Sequence, residues 1–235
     1  MAKGPIMAGA AKNPFTPGFG QVPPLLAGRD YLMNDIVSAF DAWPGDPNLA
    51  TIFMGARGTG KTVLLTCLSE AALAHGWVTA NVSAKPGMEE DVIERALEAS
   101  APSQLRSSMR LKGVTIGRVL GVEVDYRDQV AGNWRTRMNA LFDRLDEHDL
   151  GLLITIDEIT VTLDEMIDFA ATYQHFVREK RKVALLMAGL PYKVSELLRN
   201  DSVSFLRRAQ QRTLGRIPDF EISEALRRTI EGAVD

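Results

Sequence analysis

Cysteine is almost absent from this sequence: Cys67 is the single cysteine in 235 residues. One thiol cannot close an internal disulfide or build a cysteine-based metal site, so both classes of protein are excluded. The sequence also lacks any apolar run that approaches the roughly 18 residues of a membrane-spanning helix. Residues 1–11 lack the long apolar core of a secretory signal. These absences predict a cytoplasmic protein that does not bind membranes.

A strong excess of one charge is missing as well. The formal net charge is −3, which gives no general attraction to nucleic acid or to anionic membranes, although a local basic patch stays open. Hydrophobic residues make up 46% and charged residues 24% of the chain, which is ordinary for a globular protein in water. The length suffices for one domain, or for one domain with a small appendage.

The most informative stretch runs from Gly55 to Thr62. Its sequence, G-A-R-G-T-G-K-T, fits the pattern G-x-x-x-x-G-K-[ST] at every fixed position. An apolar run precedes it and apolar residues at helical spacing follow it, which predicts a strand, a loop and a helix in that order. The alternative is a glycine-rich turn that ends in Lys-Thr by chance, and the flanking patterns argue against it.

A loop in this context is expected to bind the phosphates of a nucleotide. Glycines allow several N–H groups to converge on one anion, and the start of the helix adds the positive end of its dipole. Lys61 would bring a charge to the β- and γ-phosphates, and the Thr62 hydroxyl would be a ligand of Mg²⁺. The candidate nucleotide contacts are Gly55, Ala56, Arg57, Gly58, Thr59, Gly60, Lys61, Thr62 and Val63.

An acidic pair provides the second half of the expected site. Residues 150–156 are continuously apolar apart from one glycine and one threonine, as is typical of a strand buried on both faces of a parallel sheet, and they lead directly into Asp157 and Glu158. Asp157 would hold the metal or its water shell, and Glu158 would act as a general base towards the attacking water. The alternative is a pair of solvated acids at the end of a strand.

Strands and helices alternate along the chain, which predicts a parallel, doubly wound α/β sheet with its ligand at the carboxyl ends of the strands. Residues 1–25 form an expected Pro/Gly-rich arm, and residues 101–130 suggest a β-hairpin or an irregular insertion. Residues 162–165 have the form of a capping box, opening a helix. Its expected inner face consists of Leu163, Met166, Ile167, Ala170 and Val177. A helix over about 203–211 and a short strand over 213–217 are expected further on.

Several segments together resemble the AAA+ ATPases of prokaryotes: residues 26–30 (L-A-G-R-D), the phosphate loop, the acidic pair, and residues 188–191 (A-G-L-P). The likeness is greatest to the branch shared by archaeal-type ATPases, signal-transducing STAND ATPases and replication initiators. Over residues 26–220 it implies a P-loop NTPase three-layer αβα sandwich with a parallel sheet in the order 5-1-4-3-2, and ATP or ADP with Mg²⁺ as ligands. Residues 221–235 would begin a helical lid, which we expect to be truncated.

The resemblance also implies roles for individual residues. The expected adenine contacts are Leu26, Ala27, Gly28 and Arg29. The expected catalytic group consists of Lys61, Asp157, Glu158 and an arginine finger from Arg207 or Arg208, with Thr62 and Asp157 as metal ligands. For the two arginines, a solvated or salt-bridged helix face is an equal alternative. Relatives usually place Asn, Thr or Ser at the end of the 183–188 strand as a γ-phosphate sensor, where this chain has Ala188 or Gly189. Asn81 either contacts Glu158, as in relatives, or serves a turn or cap.

The resulting functional hypothesis is an ATP-binding protein of the AAA+ ATPase type, in which binding or hydrolysis of Mg²⁺·ATP switches conformation or assembly. The alternatives are a STAND-like regulatory switch with little turnover and a DNA-associated initiator or transposition helper. Expected partners are ATP and a second copy or another protein, whereas DNA is unsupported by the net charge. GTP is disfavoured because no Asn-Lys-x-Asp segment is present, and no phosphoryl acceptor site of a kinase is recognisable.

Overall fold

The structure is a computed structural model that describes residues 27–100, 133–162 and 164–231. The expected arm over 1–25, Leu26, the expected insertion over 101–130 and Leu163 lie outside these residues. The described chain forms two compact units. One consists of residues 31–216 and carries the sheet, and the other consists of residues 27–30 together with residues 217–231.

The larger unit is built on a five-stranded, all-parallel sheet with the strand order β2-β3-β4-β1-β5. Its strands are β1 (Ala50–Met54), β2 (Trp77–Ser83), β3 (Gly151–Asp157), β4 (Val183–Gly189) and β5 (Gln210–Thr213). Read from the other edge, this is the expected order 5-1-4-3-2, which is thereby confirmed. β4 lies between the strand that leads into the phosphate loop and the strand that ends at Asp157.

The described helices are α1 (Asp30–Asp41), α2 (Lys61–Ala74), α3 (Met88–Ala99), α4 (Trp134–Asp146), α5 (Asp164–Arg178), α6 (Pro191–Arg199) and α7 (Asp219–Glu231). There are also two described 3₁₀ segments, Pro47–Leu49 before β1 and Asp201–Arg208 before β5. Crossovers between parallel strands are right-handed. The crossover through α2 runs across the sheet in the opposite direction to those through α3 to α6, so helices cover both faces and form the expected three layers. No described helix is both long and apolar enough to cross a membrane.

Burial on both faces explains why the sequences of β3 and β4 show no alternation of apolar and polar residues. Every residue of β4 is buried, and in β3 all residues before Asp157 are buried, because helices cover both sides. On one face α4 and α5 contribute an aromatic group: the rings of Phe142 and Phe176 lie 5.0 Å apart, and those of Trp134 and Phe169 lie 5.4 Å apart. These rings form part of the core on that face of the sheet.

The segment before β5 differs from the expectation. The helix expected over 203–211 is a 3₁₀ segment that ends at Arg208, and the strand expected over 213–217 is β5, which ends at Thr213. Val203 has non-helical dihedral angles, with φ −115° and ψ 23°, which interrupt the helical spacing. The pairing of β1 with residues 210–213 then sets the position of the strand.

The helix that follows the acidic pair was assigned wrongly in two respects. Val177 does not lie on the inner face of α5, since its side chain is 51% exposed, and the buried aromatic residues of this helix are Phe169, Tyr173 and Phe176. The capping box is also absent. The Thr162 hydroxyl bonds to Thr160, and the Glu165 carboxylate accepts hydrogen bonds from the start of another helix.

Candidate functional site

The phosphate loop follows β1 at the carboxyl edge of the sheet, where parallel α/β folds bind their ligands. Gly55 is buried at its start, and its N–H donates a 3.3 Å hydrogen bond to the carbonyl of Gly189 at the end of β4. A Cβ atom at this position would lie 2.5 Å from Thr59 Oγ1 and 2.8 Å from the carbonyl oxygen of Leu214. The first glycine is therefore required by close packing.

Two further glycines are required by backbone conformation. Gly58 and Gly60 have φ angles of 80° and 82°, in the left-handed region that glycine tolerates best. Gly60 is the N-cap of α2, and its carbonyl accepts a 2.9 Å bond from the N–H of Leu64. The N–H groups of Gly58, Gly60 and Lys61 donate no backbone hydrogen bond to another described residue. The loop thus presents unused donors at the positive end of a helix dipole, as an anion site requires.

The ammonium group of Lys61 folds back over this loop. Its Nζ donates hydrogen bonds of 2.9 Å to the carbonyl of Gly55 and 2.8 Å to that of Ala56. The Thr59 hydroxyl donates to the same Ala56 carbonyl at 2.9 Å. These are bonds to neutral acceptors, so a phosphate in the loop would compete for the lysine as a stronger, charged acceptor.

The structure brings the two halves of the expected site together. The hydroxyl of Thr62, at the start of α2, donates a 2.5 Å hydrogen bond to Asp157 Oδ2 at the end of β3. The other carboxylate oxygen of Asp157 accepts the N–H of Glu158 at 2.8 Å. Two residues that lie 95 positions apart in sequence therefore place adjoining oxygen atoms beside the loop.

Glu158 is held on the exposed side of this edge. Its φ angle is 57°, which is unusual for a residue with a side chain. Its own N–H donates a hydrogen bond to the Asp157 carboxylate, and the N–H of the next residue, Ile159, donates to the carbonyl of Ala188 at 3.0 Å. The Glu158 carboxylate has no hydrogen bond to another described residue. It is therefore free to contact a ligand or a water molecule.

The end of β4 has no room for a polar sensor side chain. Ala188 and Gly189 are both buried. A Cβ atom at residue 189 would lie 2.7 Å from Ile159 Cγ1 and 3.2 Å from Val194 Cγ2. The end of the strand packs so closely against the segment that follows Asp157 that the side chain of Asn, Thr or Ser would not fit at residue 189.

A polar cluster beside the site, centred on Asn81, was missed in part by the sequence reasoning. Asn81 Oδ1 accepts hydrogen bonds of 2.7 Å from the hydroxyls of Ser69 and Thr155, both of which are 3% exposed. Asn81 thus links α2, β2 and β3, and no hydrogen bond joins it to Glu158. The only signal in the sequence was Thr155, a single threonine within the apolar run of β3. A cavity of about 220 Å³ adjoins this cluster and is lined by Thr62 and Asp157 as well.

The two candidate arginines differ in their contacts. The Arg207 guanidinium donates to the carbonyl of Leu198 at 2.7 Å and pairs with Asp201 at 3.2 Å, so it fastens the 3₁₀ segment to the end of α6. The side chain of Arg208 is exposed and has no hydrogen bond or ion pair with another described residue. Of the two, only Arg208 has a guanidinium available for a ligand.

The expected adenine-binding segment lies in the smaller unit as far as it is described. Gly28 has a φ angle of 66°, and a Cβ atom there would collide with the carboxylate of Glu221 and lie 3.0 Å from Ile217. Ala27 and Arg29 flank it, and the expected lid helix is α7 of the same unit. The assignment of these residues to the adenine stays a prediction.

Comparison with known proteins finds similarity in three-dimensional structure. No family model matches the sequence, and no curated protein matches it. The ORC2 protein of Aeropyrum pernix, in ADPNP–ADP complexes, has a TM-score of 0.61 and 17% identity, with 91% of this chain and 54% of that chain covered. The Walker-type ATPase PABY2304 of Pyrococcus abyssi has a TM-score of 0.56 and 13% identity, with 88% and 59% covered.

Cdc6p from Pyrobaculum aerophilum is similar as well, with a TM-score of 0.53 and 16% identity, and 93% of this chain and 53% of that chain covered. In each comparison this chain spans between half and three-fifths of the length of the solved structure. At such identities the likeness establishes the fold.

Proposed function

We propose that this chain, whose fold is that of the AAA+ P-loop ATPases, binds Mg²⁺·ATP between the phosphate loop and Asp157. Binding or hydrolysis of the nucleotide then changes the conformation or the assembly of the protein. The observation that carries the proposal is the 2.5 Å contact between Thr62 and Asp157 beside a loop with unused N–H donors.

The donor set suits a hard divalent cation. Mg²⁺ prefers oxygen ligands and keeps several of its waters, so one or two protein ligands together with substrate phosphates are sufficient. Thr62 Oγ1 and Asp157 Oδ2 are such ligands. Consistent with this, no group of three or more His, Cys, Asp or Glu side chains that could form a complete metal site occurs in the described part of the chain. When bound, the cation neutralises charge on the β- and γ-phosphates.

The remaining groups have complementary tasks. The backbone donors of Gly58, Gly60 and Lys61 bind phosphate oxygens, and the Lys61 ammonium exchanges its two carbonyl acceptors for the β- and γ-phosphates. The Glu158 carboxylate accepts a proton from the attacking water. Arg208 is the group proposed to reach the nucleotide of a neighbouring copy, since Arg207 is occupied within its own chain.

A low-turnover regulatory switch is the second candidate. The observation that favours it is the buried, apolar end of β4, where Ala188 and Gly189 offer no polar group to the γ-phosphate. Without such a contact, less of the binding energy stabilises the transition state of hydrolysis. Hydrolysis is then slow, and the nucleotide stays bound for a long time.

A role on DNA receives less support. Many arginines after residue 199 have acidic partners: Arg207 pairs with Asp201, Arg212 with Asp35, and both Arg227 and Arg228 with Glu224. Paired guanidiniums give little of the phosphate neutralisation on which DNA affinity depends.

The proposal is tested by calorimetric titration of ATP in the presence of Mg²⁺. We expect Lys61→Ala to lower ATP affinity at least about a hundredfold, because the lysine is the side-chain cation of the loop. The matched control is Lys193→Ala on α6, outside the loop, which should leave affinity unchanged. Equal affinities for the Lys61→Ala variant and the unsubstituted protein, with both folded by circular dichroism, would refute the site.

A further inference from the structure

A second cavity lies at the end of the sheet opposite to the phosphate loop. It has a volume of about 490 Å³ and opens where β1 and β4 begin, at Ala50 and Val183. β1 separates it from Gly55, which corresponds to about 17 Å at the usual rise of a strand. This cavity therefore does not belong to the proposed nucleotide site. Its volume is in the range of specific ligand pockets.

The walls of the cavity are mainly apolar. Trp43, Pro47 and Leu49 line one side, Tyr173 and Val177 of α5 line another, and Phe205 of the 3₁₀ segment adds a third. Val177 is half exposed, although it is a β-branched apolar side chain on a helix. An apolar concavity of this kind accepts an aromatic or branched aliphatic side chain as an anchor.

The rim of the same cavity is basic. Arg178, Lys180 and Arg208 line it, and none of the three side chains has a hydrogen bond or ion pair with another described residue. A fourth cation, Arg181, is already paired with Asp143 and Asp146. The one carboxylate in the lining, Asp46, accepts the N–H of Asn48 at 2.8 Å. Three cations that have no partner in the described part of the chain thus surround one cavity, in contrast to the net charge of −3 of the whole chain.

The lining of the cavity also includes the side chain of Tyr173. Tyr173 is 3% exposed, and its hydroxyl makes no hydrogen bond to another described residue. Burial raises the pKa of this phenol, so the hydroxyl keeps its proton and remains a donor. A carboxylate or carbonyl of a ligand in the cavity would accept a hydrogen bond from it.

We propose that this cavity is a docking site for an acidic peptide segment of a partner protein, which inserts one aromatic or branched apolar side chain between Trp43 and Val177 and places carboxylates against Arg178 and Lys180. The apolar walls disfavour a nucleic-acid backbone, which carries charge but no apolar anchor. The separate cations Arg178 and Lys180 fit several carboxylates along a peptide better than the single charge of a small amphipathic acid.

The test is fluorescence anisotropy with the whole chain and a short fluorescein-labelled peptide in which one phenylalanine is flanked on both sides by glutamates. We expect saturable binding that weakens as salt rises. Arg178→Gln combined with Lys180→Gln should weaken it about five- to tenfold, and Tyr173→Phe about threefold. The matched control is Arg199→Gln on α6, an exposed arginine outside the cavity, which should change nothing.

Peptide controls separate the two contributions. Replacement of the phenylalanine by alanine, or of the glutamates by lysines, should abolish measurable binding. The proposal is overturned if the peptide fails to bind at about 1 mM, or if it binds equally well to the Arg178/Lys180 variant. It is also overturned if dodecanoate or duplex DNA binds in an Arg178- and Lys180-dependent manner while the peptide does not. The proposal is overturned as well if these variants abolish self-association of the chain without changing its affinity for the peptide.

Discussion

The carboxylate of Glu165, in the first turn of α5, accepts a hydrogen bond of 2.8 Å from the N–H of Gly87, the N-cap of α3. Its other oxygen accepts the N–H of Glu89 at 2.7 Å. The first N–H groups of a helix have no partner within the helix, so α5 supplies the cap of α3 across 78 positions of sequence. The contact also brings Glu165 close to the side chain of Glu89.

Because of this arrangement, the free energy of unfolding depends on the protonation of Glu89 and therefore on pH. Burial, together with the nearby charges of Glu165, Asp168 and Glu90, raises the pKa of Glu89 from 4.5 to about 7. The protonated form is therefore favoured in the folded state, and the stability it contributes is complete below pH 4.5 and is lost as pH rises through about 7.

We accordingly expect Glu89→Gln to raise the melting temperature at pH 8 by a few degrees and to change it little at pH 5. Glutamine resembles the protonated acid, so the gain appears where the acid would be ionised. A change of about 1 kcal/mol corresponds to roughly 2–4 °C in a domain of this size. Glu98→Gln, on the exposed side of the same helix, is the control, and a gain for Glu89→Gln that is equal at both pH values would contradict the assignment.

The proposed metal site predicts that substitution of Thr62 changes ATP affinity in a manner that depends on Mg²⁺. Thr62→Ala removes the hydroxyl that lies 2.5 Å from Asp157 and should reduce the gain in ATP affinity on addition of Mg²⁺ at least about tenfold. In EDTA its affinity should match that of the unsubstituted protein, and Thr62→Ser should restore the Mg²⁺ effect. Calorimetric titrations under both conditions measure this. An equal loss in EDTA would assign Thr62 to phosphate contact.

The role of Glu158 is separable from binding. Glu158→Gln keeps the size of the exposed side chain but removes the base, so we expect ATP affinity within about twofold and turnover lowered by about 10²–10⁴-fold. Phosphate release over time measures turnover, and titration measures affinity. If turnover survives the substitution, another group activates the water. If the unsubstituted chain itself hydrolyses too slowly to measure, the regulatory candidate is favoured.

The two arginines should behave in opposite ways. Arg207→Ala removes bonds to Leu198 and Asp201 and should lower the free energy of unfolding by about 1–2 kcal/mol. Arg208→Ala should leave the melting temperature unchanged. It should reduce ATP turnover at protein concentrations at which copies of the chain associate and turnover per chain depends on that association. Thermal melts and concentration series of turnover distinguish them. Loss of stability in Arg208→Ala would place that residue in the fold instead.

Some parts of the fold were predictable because their signals are local. The phosphate loop is a contiguous pattern, and the uniform burial of β3 and β4 leaves continuous apolar runs in the sequence. The segment 203–213 was less predictable. Its apolar residues have helical spacing, but pairing of Gln210 to Thr213 with β1 decides where the strand lies. A contact with a distant strand leaves no local pattern to read.

The sequence by itself determined the glycine positions, the lysine and threonine that follow them, and the acidic pair at the end of a buried strand, because each depends on residues close in the chain. The tertiary structure decided that Thr62 meets Asp157 and that Glu165 caps α3 rather than its own helix. It also decided that Arg207 is paired while Arg208 has no partner among the described residues. The physical reason is that hydrogen bonds and ion pairs depend on distances of a few ångströms between side chains. Between elements remote in sequence, the order of the strands and the packing of the helices set those distances.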